Sequence, residues 1–339
     1  MRTKLLNSVF ASVLALVSFS AFAQETLFPV TDDKGKCGFI NKSGKVVVAP
    51  QYEFAESFSE GMGAVKKGGK YGFIDASGKM AIDAKYDKTT PFSEGLASGK
   101  MNGVWAYFDK TGKTSIEPKC DYAYKFSDGL ARLQVGSKVG FIDKSGSVVI
   151  KAEYDGAYDF SEGLARVKKA GKWGYIDKTG KVVVDFQYDE CFEFMEGMAN
   201  VRKGDENTGR WGFIDKTGKV VVDIKYDRVW PFSEGMALVR VGNFKSGKYG
   251  YMNKTGEIII PPTFTGGDYF KEGLACVSTS LDPKNPTFQF IDKKGSVAIN
   301  KNFKYLTTFK SGLARVSSSD IKAGYANGYI DKTGKYVWP

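Results

Sequence analysis

Two acidic positions recur along this 339-residue chain, and both are residue types that could do chemistry. A glutamate stands in Phe-Ser-Glu-Gly, as at Glu162 and Glu234, and an aspartate opens Asp-Lys-Thr-Gly, as at Asp177. Two carboxylates can act as acid and base in glycoside hydrolysis. An Asp-x-Thr-Gly turn also suggests a calcium ligand. Whether either chemistry applies depends on how the two positions are distributed.

Their regular recurrence favours a structural role for both carboxylates. A catalytic carboxylate is needed once rather than in every copy, and Ser311 replaces the glutamate in the last copy. One carboxylate per turn is too few for Ca²⁺, which takes six to eight oxygen ligands. Instead, Asp177 can accept hydrogen bonds from the turn backbone, and Gly180 can adopt positive φ. This pattern predicts a type I turn with a bulge that closes a β-hairpin.

Other catalytic and cofactor signatures are missing from the sequence. The chain contains no histidine, which removes Ser-His-Asp and Cys-His arrangements and the commonest general base. The glycines mark strand ends rather than a phosphate-binding loop. Four cysteines occupy different phases of the repeat without metal-ligand spacing, and their pairing stays open: Cys37, Cys120, Cys191 and Cys276. We therefore expect no enzyme activity, no cofactor and no bound metal.

The first 23 residues have the features of a secretory signal peptide. Arg2 and Lys4 give a positive start, residues 5–19 are mostly apolar, and Ala21-Phe22-Ala23 fits a cleavage site. The apolar run is short for a membrane span. We therefore expect export to the periplasm or the extracellular space, with no stable membrane insertion after cleavage. Residues 24–339 would form one repeat domain with a net charge of about +9, since the signal peptide removes two basic residues.

Most of the excess positive charge lies on lysines beside turns, such as Lys172, Lys178 and Lys181. These lysines either form a solvated edge or weakly attract an anionic surface or polysaccharide. Nucleic acid is disfavoured as a partner by the expected export and because the chain has no dense basic run.

The chain is built from nine copies of one unit, of which residues 164–184 are the clearest. The glycine that follows an aromatic in Trp173-Gly174 recurs every 34 to 39 residues, with Ala106 and Gln289 in the same slot of two units. Each unit contains three runs rich in Val, Ile and aromatics, separated by glycine-containing turns. In the clearest unit the predicted strands are Leu164–Lys168, Trp173–Asp177 and Lys181–Val184. Both faces of these strands carry apolar residues, so we expect the sheets to stack on one another.

The unit resembles the WG repeat, also called the KWG repeat, of bacterial proteins. The resemblance rests on residues 172–181, which read KWGYIDKTGK, on residues 210–215, which read RWGFID, and on the Tyr-Asp and Phe-Ser-Glu-Gly-Leu-Ala elements. It covers nearly the whole chain after the signal peptide. Departures from the tryptophan include Cys37, Tyr71, Val139 and Tyr249. The resemblance implies an array of β-rich repeats used for interaction, with no common reaction and no defined site residues.

The two ends of the chain bear on how the nine units are arranged. Residues 27–30 correspond to a first strand and residues 335–338 to a third strand, so no unit is split between the termini. Many ring-shaped propellers split one blade to close. The sequence therefore predicts tandem three-stranded β-meanders in an open, twisted, solenoid-like array. A closed β-propeller is the alternative, because stacked and radial repeats share the same period.

The later units are longer than the earlier ones, 38 or 39 residues instead of 34, and all of the added residues lie in the first hairpin turn. The distance from the strand-one valine to the glycine slot is seven residues at Val167 but eleven or twelve in units six to nine. Insertions at one loop cluster on one side of an array, often the binding side. The alternative is neutral drift in exposed turns. The residues of these turns form the predicted ligand-binding edge: Arg202, Arg210, Phe244, Lys245, Asn285 and Tyr325.

Taken together, the sequence favours an exported, non-catalytic repeat scaffold that binds a protein or another ligand. The alternative is a module that binds carbohydrate or the cell envelope, because basic charge and repeated aromatics also suit a polysaccharide. A protein partner or an envelope polysaccharide is thus expected.

Overall fold

The computed structural model describes residues 26–243, 246–280, 282, 287–317 and 328–338, and the regular elements within them are all β-strands. The predicted signal peptide, residues 1–23, lies outside the described residues. The strands form nine small antiparallel sheets, here called blades 1 to 9 in chain order. The prediction of an all-β chain of nine units is therefore confirmed. In the described part of the chain, no helix has the length and apolar character needed to cross a membrane.

The strands divide among the blades in sequence order. Blade 1 contains β1 (Phe28–Thr31), β2 (Cys37–Ile40) and β3 (Val46–Tyr52). Blade 2 contains β4 (Phe54–Ala55), β5 (Met62–Lys67), β6 (Lys70–Asp75) and β7 (Met80–Tyr86). Blade 3 contains β8 (Lys88–Thr89), β9 (Ala97–Met101), β10 (Val104–Phe108) and β11 (Thr114–Ile116).

The middle three blades repeat the same plan. Blade 4 contains β12 (Tyr122–Ser127), β13 (Leu130–Val135), β14 (Lys138–Ile142) and β15 (Val148–Tyr154). Blade 5 contains β16 (Gly156–Ala157), β17 (Leu164–Lys169), β18 (Lys172–Asp177) and β19 (Val182–Tyr188). Blade 6 contains β20 (Glu190–Cys191), β21 (Met198–Lys203), β22 (Arg210–Asp215) and β23 (Val220–Tyr226).

The last three blades complete the order. Blade 7 contains β24 (Arg228–Val229), β25 (Ala237–Val241), β26 (Lys248–Met252) and β27 (Ile258–Phe264). Blade 8 contains β28 (Gly266–Gly267), β29 (Ala275–Ser278), β30 (Phe288–Ile291) and β31 (Val297–Phe303). Blade 9 contains β32 (Tyr305–Leu306), β33 (Leu313–Ser317), β34 (Gly328–Asp331) and β35 (Tyr336–Trp338).

Blades 2 to 9 contain a fourth strand that the predicted three-stranded unit lacks. In blade 5, Gly156 and Ala157 pair with Lys168 and Val167 of the next strand. Two residues are too short to show the alternation that marks a strand, so the sequence analysis assigned them to the connector. The last strand of the blade is also longer than predicted, and runs to Tyr188.

The glycine of the Trp-Gly pair is required by the approach of the neighbouring strand. A Cβ added to Gly174 would lie 2.6 Å from the carbonyl oxygen of Val184. This is closer than a Cβ atom approaches any other heavy atom in a folded protein. The pairing of β18 with β19 shifts across this glycine, between Trp173 and Tyr175, and again between Tyr175 and Ile176. Glycine here lets the last strand cross close over the middle one.

The hydrophobic core lies between the blades, as predicted from the two apolar faces. In one such layer, Phe141 and Ile150 of blade 4 pack with Phe160 and Ile176 of blade 5. The phenylalanine of each Phe-Ser-Glu-Gly connector is buried in this way, and Phe160 is 1% exposed. Stacking buries both faces of β17 and β18, whereas the last strand of the blade is more exposed: Val182 and Val183 of β19 are 38% and 37% exposed.

The prediction of an open array is wrong, because the first and last blades pack together. Phe28 of blade 1 contacts Tyr329 of blade 9 with ring centroids 5.6 Å apart, and the Tyr329 hydroxyl donates to the Pro29 carbonyl oxygen at 2.8 Å. Trp338 is buried in the same cluster. Closure uses side-chain packing instead of a split blade, so the termini gave a misleading signal. The fold is the stated alternative, a β-propeller with nine blades.

Candidate functional site

The repeated connector glutamates join neighbouring blades. Glu162 of blade 5 accepts a hydrogen bond from the Gly197 N–H of blade 6 at 2.9 Å. It also pairs with Lys216 of blade 6 at 3.1 Å. Burial opposes ionisation of Glu162, but the lysine and the backbone N–H outweigh it and lower its pKa. The same lysine pairing recurs at five other blades: Glu60, Glu94, Glu196, Glu234 and Glu272.

The turn aspartates organise their own hairpins, as the sequence predicts. One oxygen of Asp177 accepts from the Thr179 hydroxyl at 2.6 Å, the Thr179 N–H at 2.9 Å and the Lys181 N–H at 3.0 Å. The Thr179 hydroxyl is the main reason why the pKa of Asp177 is lowered. Gly180 follows with φ of 87°. Within the described ranges no group of three acidic, histidine or cysteine side chains is placed to hold a metal ion.

The predicted ligand-binding edge is only partly within the described residues. Phe244, Lys245, Asn285 and Tyr325 lie outside them. Arg202 and Arg210 flank the long turn of blade 6, on opposite strands.

Both described arginines of this edge have contacts within the chain. Arg202 donates to the Gly204 carbonyl oxygen at 2.9 Å, with its guanidinium 5.7 Å from the centre of the Trp211 ring. Arg210 pairs with Asp227 at 3.2 Å. The ligand-binding role of the edge stays a prediction.

A cavity lies where the segments between the first and second strands of several blades face one another. It has a volume of about 450 Å³ and is bordered by Glu56, Pro91, Lys125 and Lys310, among others. These residues belong to blades 2, 3, 4 and 9. Since blades 4 and 9 are not neighbours, the cavity lies at the centre of the ring. In blades 2, 3 and 4 the segment before the connector phenylalanine therefore lines the central opening.

One position on this segment differs between the two halves of the ring. It lies two residues before the connector phenylalanine and is aromatic in four consecutive blades, 4 to 7. We call these four residues the aromatic belt: Tyr124, Tyr158, Phe192 and Trp230. The remaining connectors carry polar residues there: Glu56, Thr90, Asp268 and Thr307. All four belt rings are at least partly exposed, and Tyr158 is 40% exposed.

Arginines lie between the belt rings. The Arg132 guanidinium is 3.9 Å from the Tyr124 ring centre and 5.5 Å from that of Tyr158. Arg166 lies 3.4 Å from Tyr158 and 5.0 Å from Phe192. From Tyr124 to Phe192 the belt is therefore a stack of alternating rings and guanidinium groups, each arginine joining one blade to the next.

Carboxylates hold the first two belt arginines in place. Arg132 pairs with Asp159 at 2.6 Å. Arg166 is nearly buried and pairs with Glu193 at 3.2 Å and Glu190 at 3.3 Å. Because each carboxylate is already bonded to a cation, the belt presents fixed rings and guanidinium edges rather than free acids or bases.

The cysteines near the belt are unsuited to nucleophilic chemistry. Burial raises the pKa of Cys191 to about 12 and, with Asp121 nearby, the pKa of Cys120 to about 11. All four cysteines are free thiols. A thiol with a raised pKa is protonated at neutral pH and reacts slowly.

Sequence reasoning missed the belt because it compared the copies for what they share. The belt is visible only when a variable position is aligned across units, where Tyr124, Tyr158, Phe192 and Trp230 form one uninterrupted run. An aromatic needed for the core would recur in every blade, as the connector phenylalanine does. The variation at this position therefore indicates a role at the surface, which a comparison of the shared motif alone does not reveal.

Eight consecutive segments of the chain match the family described as "WG containing repeat". The matched residues are 38–71, 71–105, 105–138, 140–173, 173–206, 211–243, 249–279 and 290–319. No curated protein matches the chain.

Solved structures are similar only in fold. The tricorn protease is 12% identical with a TM-score of 0.35, and the alignment covers 91% of this chain but only 38% of that one. Hsv2 from Kluyvelomyces marxianus is 9% identical with a TM-score of 0.42, covering 69% of this chain and 89% of that one. A Bacteroides caccae protein of unknown function is 12% identical with a TM-score of 0.28, covering 60% and 89%. Likenesses this distant say nothing about function.

Proposed function

This chain belongs to the WG containing repeat family, and on that premise we propose that it is an exported, non-catalytic scaffold that binds a protein partner on its aromatic belt. The observation that carries this proposal is the asymmetry of the ring. Four consecutive blades carry an aromatic at the belt position, while the other connectors carry Glu, Thr, Asp and Thr. Phe192 and Trp230 also pack against the core of their blades, but the belt rings remain partly exposed, and this exposure favours a role at the surface.

The composition of the belt supports a protein partner. Tyrosine, tryptophan and arginine are the residues that contribute most to protein–protein binding, and they act best when held rigidly. Arg166 holds Tyr158 in place and is itself held by Glu190 and Glu193. The belt is therefore arranged before a partner arrives, which reduces the entropy lost on binding.

The proposal of a non-catalytic role rests on the state of the reactive groups. The chain has no histidine. The belt carboxylates are paired with arginines, and burial raises the pKa of Cys191. Support for export comes from the signal peptide pattern of residues 1–23. Amino-terminal sequencing of the protein recovered from the periplasm or medium should give Gln24 first.

The belt can be tested by site-specific cross-linking. A photoreactive phenylalanine analogue would replace Tyr158 of the belt, or Tyr305 of blade 9 as a matched control, since the latter is also exposed, at 50%. Position 158 should cross-link a defined partner in envelope extracts, and Tyr158→Ala with Trp230→Ala should abolish its retention. Equal cross-linking from position 305, or retention by the double variant, would refute the belt as the binding surface.

A polysaccharide is the second candidate ligand. The partly exposed rings of Tyr158 and Trp230 are the features that could stack on a sugar. Binding on a glycan array that quenches tryptophan fluorescence, and that Trp230→Ala removes, would favour this candidate over a protein partner.

A further inference from the structure

Three charged side chains border the central cavity, and they come from three different blades. Glu56 belongs to blade 2, Lys125 to blade 4 and Lys310 to blade 9. Both lysines are exposed, and the glutamate is half-buried. Among the residues that the structure describes, none of the three has an ion-pair partner, and they do not pair with one another. One negative and two positive charges therefore stand separately around one cavity.

The carboxylate of Glu56 is partly buried without compensation. Burial raises its pKa, and no neighbouring charge or hydrogen-bond donor in the described part of the chain opposes this effect. Asp268 holds the same position in blade 8, and its carboxylate accepts a hydrogen bond from the Tyr269 N–H at 2.8 Å. A partly buried carboxylate without a partner destabilises the folded protein, and such groups are typical of functional sites.

Lys310 departs from the pattern of the inner rim. In five blades the residue after the connector phenylalanine is a serine, whose hydroxyl donates to the phenylalanine carbonyl oxygen of the next blade at 2.7 Å. Two of these serines, Ser59 and Ser93, border the cavity. Lys310 takes the place of the serine in blade 9. A positive charge therefore stands at this edge of the cavity, where most blades have a hydroxyl group that is already hydrogen-bonded.

The charged residues also lie at one particular place in the ring. Among residues 26–52, blade 1 has three strands and no connector. The inner rim on either side of blade 1 is formed by the connector segments of blades 9 and 2, which carry Lys310 and Glu56. A role in the common structure of the blades would repeat around the ring. This combination of charges does not, which favours a role in binding a ligand.

The separated charges indicate the class of ligand. An anion alone would pair with Lys125 and Lys310 but would be repelled by Glu56, whereas a cation alone would leave both lysines unpaired. A zwitterion satisfies both signs, and each contact is then a charge-assisted hydrogen bond. The cavity volume of about 450 Å³ is within the range of about 300–1,000 Å³ that small-molecule sites occupy.

We propose that the central cavity binds a small zwitterion, an amino acid or short peptide, with its ammonium group on Glu56 and its carboxylates on Lys125 and Lys310. One glutamate and two lysines match a ligand with one ammonium group and two carboxylates. Pro91 is exposed on the cavity wall and can contact the aliphatic part of such a ligand. The four belt rings do not border the cavity, so this site adds a small ligand to the protein partner proposed above.

The test titrates glycylglutamate, which has one ammonium group and two carboxylates, into residues 24–339 by isothermal titration calorimetry. N-acetylglycylglutamate is the counterpart without the ammonium group. Glu56→Gln and Lys310→Gln change the cavity. Asp268→Asn and Lys271→Gln remove the same charges from the equivalent positions of blade 8, and neither residue borders the cavity, so they are the matched controls.

Glycylglutamate should bind at least tenfold more tightly than its acetylated counterpart. Glu56→Gln should weaken the binding of glycylglutamate at least tenfold without weakening that of the acetylated probe, because only the first probe carries an ammonium group. Lys310→Gln should weaken both probes at least threefold, and both controls should change either affinity less than twofold. Urea unfolding of Glu56→Gln should occur at the same or a higher urea concentration, since an unpaired carboxylate is removed. This measurement also verifies that the variant folds.

Four results would overturn the inference. Equal weakening of both probes by Glu56→Gln would show that this residue does not contact the ammonium group. Equal losses in Lys310→Gln and Lys271→Gln would show that binding depends on overall charge. Binding of the acetylated probe as tightly as glycylglutamate would assign the cavity to a simple anion, and no binding of either probe would remove the site. The cross-linking at Tyr158 reports on the proposed function separately, since it does not involve the cavity.

Discussion

Ring closure can be tested at a single hydroxyl group. Tyr329 of blade 9 donates to the Pro29 carbonyl oxygen of blade 1 at 2.8 Å. Tyr175 of blade 5 occupies the same position in its repeat and donates to the Phe192 carbonyl oxygen of blade 6 at 2.7 Å. Replacing either tyrosine by phenylalanine leaves a partly buried carbonyl without its donor. The change should lower the free energy of unfolding by about 1–2 kcal/mol.

The assay is urea unfolding of residues 24–339, followed by tryptophan fluorescence. Tyr329→Phe and Tyr175→Phe should shift the midpoint by similar amounts, because in a closed ring each hydroxyl donates to a carbonyl oxygen of the next blade. Tyr305→Phe is the control: this side chain is 50% exposed, and losing its hydroxyl should change nothing measurable. A full effect of Tyr175→Phe with no effect of Tyr329→Phe would mean that blades 1 and 9 are not in contact, and the open array would stand.

The same hydroxyl gives a second, independent measurement at high pH. Burial raises the pKa of Tyr329 from 10.0 to about 12. Below pH 10 both states are protonated and its contribution is complete. Between pH 10 and 12 the unfolded chain loses the proton first, so stability falls as the pH rises. Tyr329→Phe should reduce the slope in this range, and an unchanged slope would show that the residue is not buried.

Three further predictions concern the blades themselves. Gly174→Ala should lower the free energy of unfolding by about 1–3 kcal/mol because its Cβ would clash with the last strand. Ala106→Gly, at the same slot, should change it by less than about 1 kcal/mol, and equal effects would contradict the steric explanation. Arg166→Met should cost about 2 kcal/mol in urea unfolding, since it leaves two partly buried glutamates unpaired; a neutral result would mean that water replaces the arginine. Glu162 has a lowered pKa despite burial, so its stabilisation is present above about pH 4.5 and is lost as the pH falls through its folded pKa. Glu162→Gln should flatten the acid limb of the stability curve, and an acid limb identical to that of the unmodified chain would disprove the proposed pairing.

The local structure of the blade could be predicted from sequence because its signals are short-range. Asp177 and Gly180 define the hairpin turn through hydrogen bonds within five residues. The apolar pattern on both faces predicted stacked sheets. Gly174, by contrast, was recognised as a repeated position without its cause, because the approach of Val184 is visible only in three dimensions.

Ring closure and the aromatic belt could not be predicted from the sequence, and the physical reason differs between the two. The contact between Phe28 and Tyr329 joins residues 301 positions apart, and nothing in either local sequence signals it. The belt depends on how Tyr158 and Phe192 of successive blades come together with Arg166 between them. The turn insertions, which are visible in the sequence, pointed to Arg202 and Arg210 instead of to the belt.

The connector carboxylates have a consequence for how the ring opens. At seven successive junctions, from blades 2–3 to blades 8–9, a carboxylate of one blade accepts a hydrogen bond from a backbone N–H of the next. Blade 9 carries Ser311 instead, so among residues 26–338 that the structure describes, no such carboxylate attachment joins it to blade 1. Sub-global opening should therefore begin there, with amide hydrogen exchange fastest in β1 and β35 and slowest in the blades opposite. A transiently opened ring of this kind would expose the hydrophobic faces of its two terminal sheets and could admit a bulky ligand to the centre.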